Sequence, residues 1–213
     1  MKKNLLNKNK PSLENLLVDF NHPNPNINHK ACLEMIQHWP KESMKMIIPN
    51  LNHIDIEVRR KSVKALGYFG DIALSPVSKI FLNNTELTVR VSSIKVLVKI
   101  AAIEKYTTIP RCMKQVIERS ISDENPQIIL GVVSLLRQLN MLGLPTLISM
   151  TRDENILRAK AAITAIGEID HPSAGSCLLD MSKDTQLDKF LHESIVLALA
   201  NYSHQLKLKA HLK

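Results

Sequence analysis

The sequence predicts an all-α fold built from repeated helix pairs, and three observations carry that prediction. Similar segments recur with equivalent positions at Ile27, Val58, Val89, Ile128, Arg158 and Leu191, at steps of 31, 31, 39, 30 and 33 residues. Two short helices with their turns need about that length. Only six glycines occur in 213 residues, too few for the many tight turns of an all-β chain. Apolar residues are 45% of the chain but aromatics only 4%, so the core must be aliphatic, and its positions recur at helical spacing.

From the N-terminus, residues 1–10 are rich in Lys and Asn and read as a disordered basic segment. Pro11 to Phe20, with Leu13, Leu16, Leu17 and Phe20, reads as a helix capping the first pair. The first repeat opens at Asn24-Pro25-Asn26-Ile27. The second runs from Asp55 to Asp71, with Val58, Val63, Leu66 and Phe69 on one side and Arg60, Lys61 and Lys64 turned away. The third opens at Leu87-Thr88-Val89-Arg90 and continues through Ile94, Leu97 and Ile100. The fourth opens at Asn125-Pro126-Gln127-Ile128, the fifth at Asn155-Ile156 and the sixth at Asp188-Lys189-Phe190-Leu191. The long third step predicts an insertion of about one helical turn near Lys105 to Pro110.

Ahead of several of these helices lies a second apolar run containing Pro49, Pro76, Pro145 or Pro172. A proline fits the first helical turn because the N–H it lacks would be unpaired there anyway. Asp, Asn and Thr between the helices supply caps. No pair can bury its own apolar face, so neighbours must stack. The architecture expected is a HEAT-like α-solenoid of about six helix pairs with an N-terminal capping helix. One domain spans 11–204, and the Lys-rich tail 205–213 frays.

Several classes of chemistry find no support. The chain has no phosphate loop, and Gly67 to Gly70 is the turn of a repeat rather than a dinucleotide fingerprint. No GxSxG, HExxH or EF-hand loop is present. His192-Glu193 is the single His-Glu pair, whereas a di-iron hydroxylase on this fold needs several. Cys32, Cys112 and Cys177 stand far apart and form no CxxC; they read as small buried hydrophobes, with no metal site. The sequence shows neither a signal-peptide core nor an apolar run of membrane-spanning length, which reads as a soluble, cytoplasmic protein.

What remains is charge. The formal net charge is +8, which favours acidic partners. Arg59, Arg60, Lys61, Lys64, Arg90, Lys95, Lys99, Arg158 and Lys160 fall on the second helix of successive repeats. In a solenoid of this kind those helices line the concave surface. Arg59, Arg60, Lys64, Arg90, Lys95 and Arg158 are therefore the candidate residues for docking an acidic partner or ligand. The competing reading has the arginines bridging adjacent repeats and the lysines merely solvated. Trp39, beside Pro40, reads as packing that closes the first pair. No acidic residues pair convincingly for general acid catalysis.

The repeat region resembles the E/F-type phycobilin lyase family, whose members are HEAT-like proteins, and is most like its short Z-type subunits. The likeness lies in His22-Pro23-Asn24-Pro25-Asn26, in Arg59-Arg60-Lys61-Ser62-Val63-Lys64-Ala65-Leu66-Gly67 and in Thr88-Val89-Arg90-Val91-Ser92. It continues in Ala165-Ile166-Gly167-Glu168-Ile169 and His192-Glu193-Ser194-Ile195-Val196-Leu197-Ala198-Leu199. The third and fourth repeats depart from the Ala-Leu-Gly pattern, with Val96-Leu97-Val98 and Leu135-Leu136-Arg137. The resemblance implies a cyanobacterial cytosolic lyase subunit that helps attach phycoerythrobilin to cysteines of phycoerythrin through a thioether. Phycoerythrobilin is then a substrate rather than a resident cofactor. The implied partners are a phycoerythrin subunit and a second, Y-type HEAT-like subunit, with a chaperone role for the biliprotein as a variant. Two other readings stand beside it: a basic scaffold in phycobilisome assembly or turnover, and a HEAT-like nucleic-acid-binding protein. Nucleic acid is disfavoured because base-modifying enzymes of this shape gather aromatic and acidic side chains in their groove, and Trp39 with a few tyrosines is all this chain offers.

Overall fold

The computed structural model describes residues 10–185 and 187–211, and side chains as far as His204. The predicted all-α repeat class is the class observed, since every regular element among the described residues is helical. Where the sequence reads one domain over 11–204, contacts gather the chain into two compact units, one reaching Ile103 and one starting at Glu104. The first unit holds α1 (Leu13–Asn21), α2 (Pro25–His38), α3 (Pro40–Ile47), α4 (Ile56–Tyr68), α5 (Asp71–Asn83) and α6 (Leu87–Ile103). A 3-10 segment, Ile48–Asn52, continues α3. The second holds α7 (Arg111–Ser120), α8 (Pro126–Gln138), α9 (Leu144–Met150), α10 (Ile156–Gly167), α11 (Pro172–Ser182) and α12 (Lys189–His211), with a 3-10 turn at Asn140–Leu142 before α9.

The repeat register falls in one structural place throughout. Ile27, Val58, Val89, Ile128, Arg158 and Leu191 are each the third residue of their helix, in α2, α4, α6, α8, α10 and α12. Polar side chains just upstream set this start. Asn24, Asp55, Asn125 and Asn155 accept first-turn amides at 2.9, 2.8, 2.9 and 3.1 Å. Asn84 and Asp188 accept from Glu86 and Phe190 amides at 2.9 and 2.8 Å. A second acceptor stands two residues earlier. His22 and His53 take the cap residue's amide on Nδ1 in the first unit, and Asp123 and Asp153 take it on a carboxylate in the second. Each cap is worth about 1 kcal/mol, so the turns favour this register locally.

Helix ends obey the same register. Twelve residues beyond Val58 and Ile128 lie Gly70 and Asn140, whose φ angles are 55° and 53°. Only Gly and, at some cost, Asn enter that left-handed region readily. Pro145 and Pro172 sit in first turns, as does Pro49 in its 3-10 segment. Pro76 departs from this, lying in the interior of α5. It removes one backbone bond to the Ile72 carbonyl, on an exposed residue that water can serve.

The long third step is divided differently from the expected extra helical turn. α6 has 17 residues against 13 in α4, and a non-helical stretch at 104–110 follows. The boundary between the two units falls at its start. At the other end, α12 continues to His211 through the segment read as a frayed tail, because Leu, Lys and Ala there all favour helix. Of the segment 1–10, read as disordered, residues 1–9 lie outside the described residues.

The core is aliphatic. Met35, Ile47, Leu51, Leu66, Ile94 and Leu97 are fully buried in the first unit, and Met113, Ile128, Ile129 and Leu135 in the second. Each contributes about 1.5–3 kcal/mol relative to exposure. Trp39 ties down the N-terminal lead-in: its indole N–H donates to the Pro11 carbonyl at 2.9 Å, and the Lys10 ammonium lies 3.3 Å from its ring centroid.

Candidate functional site

The six predicted site residues separate into two kinds. Three are built into the fold. Arg59 donates to the carbonyls of His53 and Ile54 at 2.6 and 2.8 Å, closing the turn ahead of its own helix. Arg90 lies with its guanidinium 5.0 Å from the Phe81 ring centroid. Arg158, only 8% exposed, donates to the Asp153 carboxylate at 2.6 Å and to the Asp123 carbonyl at 2.8 Å. Asp123 caps the preceding repeat, so this guanidinium joins two successive turns. Partial burial pushes the Asp153 carboxyl upward, but the hydrogen bonds from Arg158 and the Asn155 amide outweigh it and hold the group below the usual aspartate range.

The other three face water. Arg60 pairs with Glu57 at 2.7 Å, but the side chains are 67% and 71% exposed, so the pair adds little stability. Lys64 and Lys95 are exposed and occupy the same place, six residues beyond Val58 and Val89. Their helices pack closely because Gly67 has no side chain: a Cβ there would stand 2.7 Å from Lys99 Cβ. Lys64 and Lys95 lie about one turn earlier on α4 and α6, so the first unit brings Arg60, Lys64, Lys95 and Lys99 onto neighbouring helices. Arg158 belongs to the second unit.

In the second unit the same register place holds Ser134 and Thr164, and the surface changes character. An open groove of about 420 Å³ runs between α8 and α10. Leu130 and Leu157, 49% and 39% exposed, form its apolar walls, and Ala161, Ser134, Thr164 and Lys160 line it with them. Arg137 and Glu168 face each other across it at 3.0 Å. The sequence held a signal for this groove. Nine residues beyond the register, α4 and α10 carry Gly67 and Gly167, whereas α8 carries Arg137. Gly167 lets α12 come so near α10 that a Cβ would stand 2.8 Å from the Ala198 carbonyl oxygen. A guanidinium in that place holds the next helix off and leaves the groove open.

The cysteines differ in burial. Cys32 is buried, whereas Cys112 and Cys177 are half-buried rather than core residues. Burial pushes the Cys32 thiol up to about 11, against a smaller opposing pull from Lys64. Burial, helped by Asp180, also raises the Cys177 thiol. Neither forms a ready thiolate at neutral pH. His192 Nε2 lies 3.1 Å from the Ser182 carbonyl. Among the described residues no three His, Cys, Asp or Glu side chains gather as metal ligands, and no helix is long and apolar enough to cross a membrane.

No protein-family model matches the chain. Two curated proteins are similar along most of it. One, named uncharacterized phycocyanin operon protein Z, from Pseudanabaena tenuis (strain PCC 7409), is 23% identical over 190 residues, 89% of this chain and 94% of the relative. The other, named bilin biosynthesis protein CpeZ, from Synechococcus sp. (strain WH8020), is 25% identical over 169 residues, 76% of this chain and 91% of the relative. Among solved structures, a designed armadillo repeat protein in complex with the peptide (KR)4 covers 90% of this chain and all of its own at 15% identity and a TM-score of 0.49. Human deoxyhypusine hydroxylase covers 90% of this chain at 15% identity and a TM-score of 0.37. The likeness read from the repeat residues is thus matched along most of the sequence, and the chain is similar to the Z proteins of these two organisms.

Proposed function

We propose that this chain is a subunit of a phycobilin lyase, assisting thioether attachment of phycoerythrobilin to cysteines of phycoerythrin in the cyanobacterial cytosol. The observation that carries the proposal is the likeness to bilin biosynthesis protein CpeZ, which extends over 76% of this chain. In the reaction, a cysteine thiol of the biliprotein adds across the exocyclic carbon–carbon double bond of the bilin. A sulfur–carbon bond forms, the π bond is consumed, and the thiol proton ends on the bilin. The nucleophile belongs to the substrate protein, a division of labour supported by the raised thiols of Cys32 and Cys177. This chain's part is to hold and orient, and proximity of that kind lowers a barrier by several kcal/mol.

Arg60, Lys64 and Lys95 of the first unit are available to an acidic biliprotein surface, where complementary charge governs encounter and register. A second, Y-type helical-repeat subunit completes the complex. The test is co-expression of a phycoerythrin subunit, phycoerythrobilin and the Y-type subunit, with and without this chain. Omitting the chain is expected to lower the yield of covalently bound, coloured adduct. An unchanged yield would overturn the lyase reading. If adduct falls only in proportion to soluble phycoerythrin, the chain acts as a chaperone for the biliprotein.

A further inference from the structure

We infer that the groove between α8 and α10 is where this chain receives the bilin, lying flat along the apolar walls with a propionate on Lys160. The inference rests on the bilin reading above and adds the place and the chemistry of recognition. A linear tetrapyrrole presents a broad conjugated face, polar pyrrole and lactam edges, and two carboxylate arms. The groove offers the matching surfaces in matching places. Leu130 and Leu157 are half-exposed leucines, and the small side chain of Ala161 lies in the lining with them. The Ser134 and Thr164 hydroxyls donate to the Leu130 and Lys160 carbonyls at 2.7 and 3.0 Å, which leaves their oxygens as acceptors for the pyrrole and lactam N–H groups.

Charge selects the orientation. Lys160 is exposed and forms no ion pair among the described residues, so it is available to a carboxylate. Arg137, by contrast, is already engaged by Glu168 at 3.0 Å. That pair marks one end of the groove. The volume of about 420 Å³ suits part of a tetrapyrrole rather than a wholly enclosed one. One face is left open, as transfer to a second protein requires.

The test is titration of the purified full-length chain with phycoerythrobilin and, separately, with its dimethyl ester, followed by absorbance and fluorescence. The free acid is expected to bind saturably and more tightly than the ester. Lys160→Glu should weaken the acid by about tenfold or more, the scale of one charge-assisted bond, and leave the ester unchanged. Ala161→Trp, which puts a large side chain into the groove, should weaken both, with helical content unaltered by circular dichroism. Lys79→Glu, at an exposed lysine of the other unit, should change neither. Absence of saturable binding to the unmodified chain overturns the inference. So does full affinity in the Ala161→Trp variant, or equal affinity for acid and ester. These outcomes are separable from the co-expression result: adduct yield that depends on the chain while the groove variants bind normally refutes the groove and leaves the lyase reading standing.

Discussion

A basic side chain on a repeat helix closes a turn or faces water according to its register, and Arg158 and Lys64 illustrate the two outcomes. Arg158 is the third residue of α10 and reaches back across two turns. Lys64, six residues further along the same repeat pattern, points outward. Removing the buried guanidinium leaves Asp153 and the Asp123 carbonyl without their partner. Arg158→Ala is therefore expected to lower stability by about 2–3 kcal/mol, whereas Lys64→Ala should stay within about 0.5 kcal/mol; urea denaturation of the two variants checks this. The Asp153 carboxyl is held below its ordinary range in the fold. Its stabilising contribution is thus present above the unfolded pKa and is lost as pH falls through the folded one. Urea midpoints of the native chain and of Asp153→Asn should differ at neutral pH and converge below about pH 4.

At the level of the helix, ends are decided by local chemistry and separations by side-chain size. Capping residues and prolines were readable in the sequence because their hydrogen bonds reach only two or three residues. Gly70 and Asn140 carry φ angles of 55° and 53° at equivalent positions, and the strain of a side chain there is predictable. Gly70→Ala should cost about 1 kcal/mol or more. Asn140→Gly should leave stability within about 0.5 kcal/mol of the native chain, as thermal unfolding of each variant would report. Pro76 resisted the first-turn reading because nothing local marks where α5 begins; Gly70 starts it without a side-chain cap. The length of α6 was hidden for a related reason. No Gly or Pro follows its apolar run until Pro110, and only packing determines where the helix stops.

On the scale of the whole chain, the net charge of +8 does not spread evenly over the repeat helices. The first unit carries Arg60, Lys64, Lys95 and Lys99 on exposed faces, while the second offers hydroxyls, two leucines and Lys160 around a groove. The basic row expected on the second helices of successive repeats is therefore resolved into a basic ridge on one unit and a mixed surface on the other. If the ridge receives an acidic biliprotein, Lys64→Glu combined with Lys95→Glu should weaken co-purification with phycoerythrin by about tenfold at low salt. The native association should fade with added salt, since exposed charges are screened beyond about 10 Å at 0.1 M. Pull-down across a salt series would measure both.

The sequence by itself determined the all-α class, the six-fold register, the caps and the likeness to Z proteins. All of these rest on interactions within a few residues, or on a period repeated often enough to be read. The tertiary structure alone decided which charges are available and where a ligand could lie. Arg59, Arg90 and Arg158 look the same as Arg60 or Lys95 in a string of letters, but turn carbonyls hold Arg59, the Phe81 ring lies against Arg90, and burial with Asp153 claims Arg158. Arg137 was visible as a missing glycine, and its consequence was not. A side chain sets the gap between two helices only once both are packed, so the groove belongs to the fold and not to any segment of it.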